Sequence, residues 1–144
     1  MDAEELKEEF PFFKAYAEGV LSEEEFLDDV GRLSEEIAAF NISQKHVILL
    51  GHFERHKKEL NALYEHTQKE ATRENEAVFY GDVEEVKKHL LAIRDLLKEM
   101  ESVIGGLDHP IVSKIITYCK DTLLRLQRMG FPQKDLGELN AAFQ

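Results

Sequence analysis

Cysteine is nearly absent from this chain: Cys119 is the only one, so no internal disulfide can form and nothing points to an oxidising compartment. Tryptophan is missing, and the three prolines, Pro11, Pro110 and Pro132, leave residues 12–109 free of the strongest helix breaker. No long apolar run occurs. The longest aliphatic stretch, Val47 to Leu50, is far too short to span a bilayer. The first ten residues, MDAEELKEEF, hold no apolar signal core. Positive charge is scarce as well: 18 Lys and Arg stand against 29 Asp and Glu, a net charge of −11. Nucleic acid and anionic membranes both reward a basic surface, so neither is an expected partner. These features describe an acidic, cytoplasmic protein, and its 144 residues suit one domain, 1–144, with a real core.

What is present is helical periodicity almost throughout, with no sustained strand alternation. Pro11 suits the first position of a short helix ending near Gly19, which holds an aromatic group: Phe10, Phe12, Phe13 and Tyr16. Ser22 and Glu25 form a capping box, with Leu21 and Phe26 placed as its hydrophobic staple. From there Phe26, Val30, Leu33, Ile37 and Phe40 make one buried stripe over a helix of residues 22–38. The next helix is predicted to be unusually long, about 43–79, ended by a turn at Tyr80-Gly81-Asp82. Val83, Val86, Leu90, Ile93, Leu97, Met100 and Ile104 then mark a helix stopped by Gly105-Gly106. Asp108-His109-Pro110 opens the last long helix, which Gly130 and Pro132 end. A tail helix docks through Leu136, Leu139 and Phe143. The predicted fold is all-α: a bundle of four main helices, one of them a spine, with a short aromatic N-terminal helix.

Chemistry, if any, belongs on the spine. Four of the six histidines, His46, His52, His56 and His66, lie on it. His52 and His56 are four apart and Glu59 three further on, a spacing that places two imidazoles and a carboxylate along one helix face and suits a transition metal such as zinc or iron. Short antiparallel connections place Asp29 near His52 and His56. A turn at residues 80–82 also brings Asp108 and His109 beside them, while His89 falls opposite residue 73. The candidate metal set is therefore His52, His56, Glu59, His109 and Asp29, with His66 and His89 as bystanders. The plainer reading makes His56 a hydrogen-bonded core residue and His52 a solvated one. Paired Glu-x-x-His motifs of di-iron bundles are absent, as are P-loop, GxSxG and HExxH signatures. Cys119 lies on the apolar stripe of its helix with no histidine within a turn, which fits a buried thiol rather than a nucleophile. Glu25 to Asp28 is a fragment of the acidic Glu-x-x-Asp pattern that magnesium-dependent hydrolases use.

Three functional expectations follow. The leading one is a non-enzymatic interaction or adaptor protein with no catalytic residues and no cofactor, its partner a protein or a second copy of the chain, docking through Phe10, Phe12, Phe13 and Tyr16. The second is a metal-binding bundle using His52, His56 and His109 with a carboxylate. The third is a magnesium-dependent hydrolase built on acidic residues. Gly51, beside His52, is either a hinge, a close-packing point or a tolerated defect costing about 1 kcal/mol relative to alanine.

Overall fold

A computed structural model describes the backbone at residues 2–71, 76–104, 110–128 and 130–143, and the side chains at 2–66, 82–101, 111–128 and 130–143. The described residues form eight helices and no strand: α1 (Ala3–Glu9), α2 (Pro11–Ala17), α3 (Glu23–Arg32), α4 (Ser34–Ala39), α5 (Gln44–Ala71), α6 (Glu76–Ile104), α7 (Pro110–Arg128) and α8 (Gln133–Ala142). The all-α reading, the long helix and the aromatic N-terminal segment are all present. No helix among the described residues is long and apolar enough to cross a membrane.

Local signals act where the sequence places them. The Ser22 hydroxyl accepts from the Glu25 backbone N–H at 3.2 Å, and the Glu25 carboxylate accepts from the Ser22 N–H at 3.4 Å, closing the capping box at the start of α3. Ser43 caps α5 by accepting from the His46 N–H at 3.0 Å. Gly130 turns the chain after α7 at a φ of 84°, a left-handed conformation that glycine adopts without strain. Leu136 and Leu139 of α8 and Phe143 at its C-cap are buried as expected.

Two boundaries differ from the periodicity. The expected 22–38 helix is broken at Leu33, which joins α3 to α4 in a non-helical conformation. More consequentially, the long helix ends at Ala71 and α6 already runs from Glu76, so residues 80–82 lie inside a helix rather than in a turn. Gly81 is absorbed within α6, where a single glycine costs only about 1 kcal/mol. Asp82 is a nearly buried helical residue instead of an N-cap. The expected spine of about 37 residues shortens to 28 and the following helix lengthens to 29, so the two are nearly equal, each ~42 Å long at 1.5 Å per residue. They pack along each other as the main contact of the fold.

One connected apolar core runs from Leu6 to Phe143. Near the N-terminus it is aromatic. Phe26 of α3 stacks on Tyr16 at 4.0 Å between ring centroids and 6° between planes, with Phe12 and Phe13 against it at 5.8 and 6.3 Å. α5 is continuous across Gly51. A Cβ there would meet Phe26 Cζ at 2.6 Å and Cε1 at 2.9 Å, so Gly51 is a close-packing point where α3 crosses the long helix.

Candidate functional site in the α5–α6 seam

Each of the two long helices carries an acid seven residues before a histidine: Glu59 and His66 on α5, Asp82 and His89 on α6. Seven residues is close to two turns, so acid and histidine share a face. Laid antiparallel, the helices bring acid to histidine at both levels. The His89 Nε2–H donates to Glu59 Oε2 at 2.9 Å, and the His66 Nδ1–H donates to Asp82 Oδ2 at 2.6 Å. One register satisfies both contacts. On the exposed flank, the Lys45–Glu99 ion pair at 3.6 Å belongs to the same antiparallel arrangement.

His56 joins the first level. Its Nδ1 lies 2.8 Å from His89 Nδ1, with ring centroids 5.0 Å apart and planes at 57°. The carboxylate fixes the proton positions: with Glu59 accepting from Nε2, neutral His89 offers Nδ1 as an acceptor, so His56 Nδ1–H must donate. The result is a relay from His56 through His89 to Glu59. It can hold one further proton, on His56 Nε2. It cannot hold two, because both Nδ1 atoms would then carry hydrogens pointing at each other. Burial pushes the His56 imidazole below its ordinary value of 6.5, and the facing His89 adds to the effect, while Glu59 opposes it. His89 is 8% exposed and Asp82 likewise 8%. Beside them Glu59, Ala62, Leu63, His66, Glu85 and His89 line an open groove between α5 and α6.

Among the described residues, the expected metal candidates His52, His56, Glu59 and Asp29 are not gathered into one group. His56 and Glu59 share His89, a residue placed elsewhere by the misassigned turn. His52 belongs to the aromatic region: its Nδ1 lies 3.0 Å from the Tyr16 hydroxyl, and its Nε2 is 3.9 Å from Glu23. Burial pushes the Tyr16 phenol above its usual range. Asp29 pairs with Arg32 at 2.9 Å. His109, with Asp108, lies outside the described residues. Among the described residues, no group of three or more His, Cys, Asp or Glu side chains is placed to hold a metal ion.

Phe10, Phe12, Phe13 and Tyr16 are all buried, so the expected docking patch is core. The helices α1 to α4 wrap these rings against α5, which satisfies them within the chain. Cys119 is fully buried, and burial pushes its thiol up to about 12, as suits a packing residue. The neighbouring basic side chains Arg55, Lys57 and Lys58 reach carbonyls and rings. Arg55 Nη1 donates to the carbonyls of Tyr16 and Leu21 at 3.1 and 2.9 Å, with its guanidinium 4.6 Å over the Tyr16 ring. Lys57 sits over the Tyr118 ring, and Lys58 donates to the Glu18 carbonyl.

Sequence reasoning missed His89, His66 and Asp82. The signal that finds them is the repeated seven-residue acid-to-histidine spacing, which selects an antiparallel register without any knowledge of the turn. The chain matches no protein-family model, no curated protein and no solved structure.

Proposed function

We propose that this chain is a non-enzymatic, cytoplasmic interaction protein whose α5–α6 hairpin couples its contacts to protonation. The carrying observation is the 2.8 Å Nδ1–Nδ1 contact between His56 and His89, made across a helix seam and closed on its far side by Glu59. Such a pair accepts one extra proton and is broken by a second. Four groups bear on His56: His52, Arg55 and Glu59 on its own helix and His89 opposite. His66 and Asp82 make the second level of the same seam. Opening this seam would uncover Leu60, Val86 and Leu90, which are buried in the closed hairpin. A second copy of the chain is the expected first partner, since self-association needs only this apolar surface. Sedimentation velocity at pH 7.5 and pH 5.5 tests the reading. A shift toward dimer at the lower pH that is lost in His56→Gln is expected. Identical sedimentation of wild type at both pH values would refute it.

A second reading rests on the same pair. Two Nδ1 atoms from different helices face each other, and the other nitrogen of His89 is held by a carboxylate, the outer arrangement typical of metal-bound histidine. Zinc bonds of 2.0–2.1 Å in tetrahedral geometry need the two nitrogens about 3.3 Å apart, so a small side-chain rotation would admit the ion. Zinc or iron(II) is then the expected cofactor, held by His56 and His89 with Glu59 behind. Elemental analysis and a thermal shift on adding zinc, both absent in His89→Gln, are its signature.

A further inference from the structure

A second cleft, on the stretch of α6 that follows the histidine seam, combines an apolar floor with a basic rim. It has a volume of about 350 Å³ and is built where α6, α7 and the end of α8 meet. Its floor is Leu97, Ile116, Ala142 and Phe143, of which Leu97 and Phe143 are buried. Its rim carries Arg94 and Lys98 from α6 and Lys120 from α7, against a single carboxylate, Glu101. The helical spacing explains the convergence: residues 94, 97, 98 and 101 share one face of α6, and 116 and 120 one face of α7.

The rim is basic on a chain whose net charge is −11, where Lys57 meets a ring and Lys58 a carbonyl while Lys7, Lys45, Lys87 and Lys114 find carboxylates at 2.8–3.6 Å. Among the described residues Lys98 and Lys120 have no such partner, and Arg94 reaches only its exposed neighbour Asp95, at 3.2 Å. An acidic protein that gathers three cations around an apolar cleft, with surplus carboxylates elsewhere, presents a local positive field over a surface suited to hydrocarbon. We infer that this cleft binds a small amphipathic anion, an unbranched apolar chain with one anionic head. The chain lies on Leu97, Ile116 and Phe143. The head is met by Lys98 and Lys120, with Arg94 turning from Asp95 to join them. The volume falls within the range of small-ligand sites, at its lower end, which limits the ligand to a medium-length chain.

Octanoate is the probe, followed by amide chemical shifts in the full chain, with octylammonium as the charge control and acetate as the chain control. Saturable octanoate binding with a Kd below about 1 mM, with shifts centred on residues 94–101, 116–120 and 142–143, is expected. Octylammonium and acetate should each bind at least about tenfold more weakly, and the exposed double variant Lys98→Glu, Lys120→Glu should lose octanoate by a similar factor while keeping the wild-type far-UV spectrum. Equal binding of octylammonium, shifts centred elsewhere, no saturation, or a Kd in the double variant within about twofold of wild type would each overturn the assignment. Should that variant fail to fold, raising salt from 0.05 to 0.5 M on the wild type decides the point: an unchanged Kd removes the role of the cations.

Discussion

The two ends of α5 are held by different chemistry. Around Gly51 the helix is gripped by rings and backbone: Phe26 lies where a Cβ would sit, Tyr16 stacks on Phe26, and Arg55 ties down two carbonyls of the preceding segment. One turn beyond, from His56 to His66, it is gripped by imidazoles and carboxylates of α6. The first grip is mostly dispersion and apolar burial, which do not change with pH. The second depends on where protons sit. A single continuous helix therefore joins a fixed half to a titratable half, and perturbations of the two should differ in size and in pH dependence.

The largest effect expected is Phe26→Ala. Removing a fully buried ring that contacts Phe12, Phe13, Tyr16 and the Gly51 backbone should cost about 3–5 kcal/mol, read by urea denaturation. Gly51→Ala alone should cost about 1–2 kcal/mol. Its Cβ collides with a ring that the Tyr16 stack prevents from moving, an overpacking penalty of about 1–3 kcal/mol that outweighs the helix-propensity gain of up to about 1 kcal/mol. In the Phe26→Ala background that collision is gone, and the same Gly51→Ala change should become stabilising. Strict additivity of the two changes would show that the close approach is not what Gly51 provides.

Next comes Arg55→Ala, with an expected loss of about 1.5–3 kcal/mol from charge-assisted hydrogen bonds to Tyr16 and Leu21 carbonyls. Arg55→Lys should not rescue it, since a single ammonium lacks the fork and the flat face that stacks on Tyr16. Arg55 is the smallest of the four side-chain influences on His56, so neither variant should alter the pH dependence of folding by much. If Arg55→Ala flattened that dependence, the two halves of α5 would be coupled rather than separate.

The titratable half gives a smaller, conditional effect. His56 has a lowered pKa in the folded chain, so below its unfolded value of about 6.5 the folded state binds fewer protons than the unfolded state. Stability is then complete above that pH and is lost as pH falls from it toward the folded value. The added proton goes to His56 Nε2 and leaves the His56–His89 hydrogen bond in place, so the loss is the cost of charging a half-buried imidazole that faces His89. Denaturation midpoints for wild type and His56→Gln should diverge at pH 7.5 and converge toward pH 5. Parallel curves over that range would mean that the pair does not titrate with folding.

The fixed half was the more readable in sequence, because its devices are local. Ser22 with Glu25, Pro11, and Gly130 with Pro132 act within a few residues of where they stand. The aromatic group was visible as well, but burial by α1 to α4 turned an expected surface into core. The seam was misread through one connection. Tyr80-Gly81-Asp82 has the composition of a turn, yet these residues are helical within α6. With α6 already running from Glu76, His89 lies against His56 and not residue 73. Helix existence survives such an error; a site made across the helices does not.

The smallest effect separates a buried register contact from an exposed one. Lys45–Glu99 shares the antiparallel arrangement of the seam, yet both side chains are more than half exposed, so water and salt screen the pair. Glu99→Gln should change stability by less than about 0.5 kcal/mol at 0.15 M salt. Glu59→Gln removes a charge of the same sign, but its partner is the nearly buried His89, whose Nε2–H then faces a neutral amide that can flip and offer hydrogens instead. That change frees His89 to exchange tautomers and loosens the direction of the His56 hydrogen bond. The pH dependence of folding should therefore respond to Glu59→Gln and not to Glu99→Gln. Equal responses would mean that net charge, and not the geometry of the relay, sets the titration of the seam.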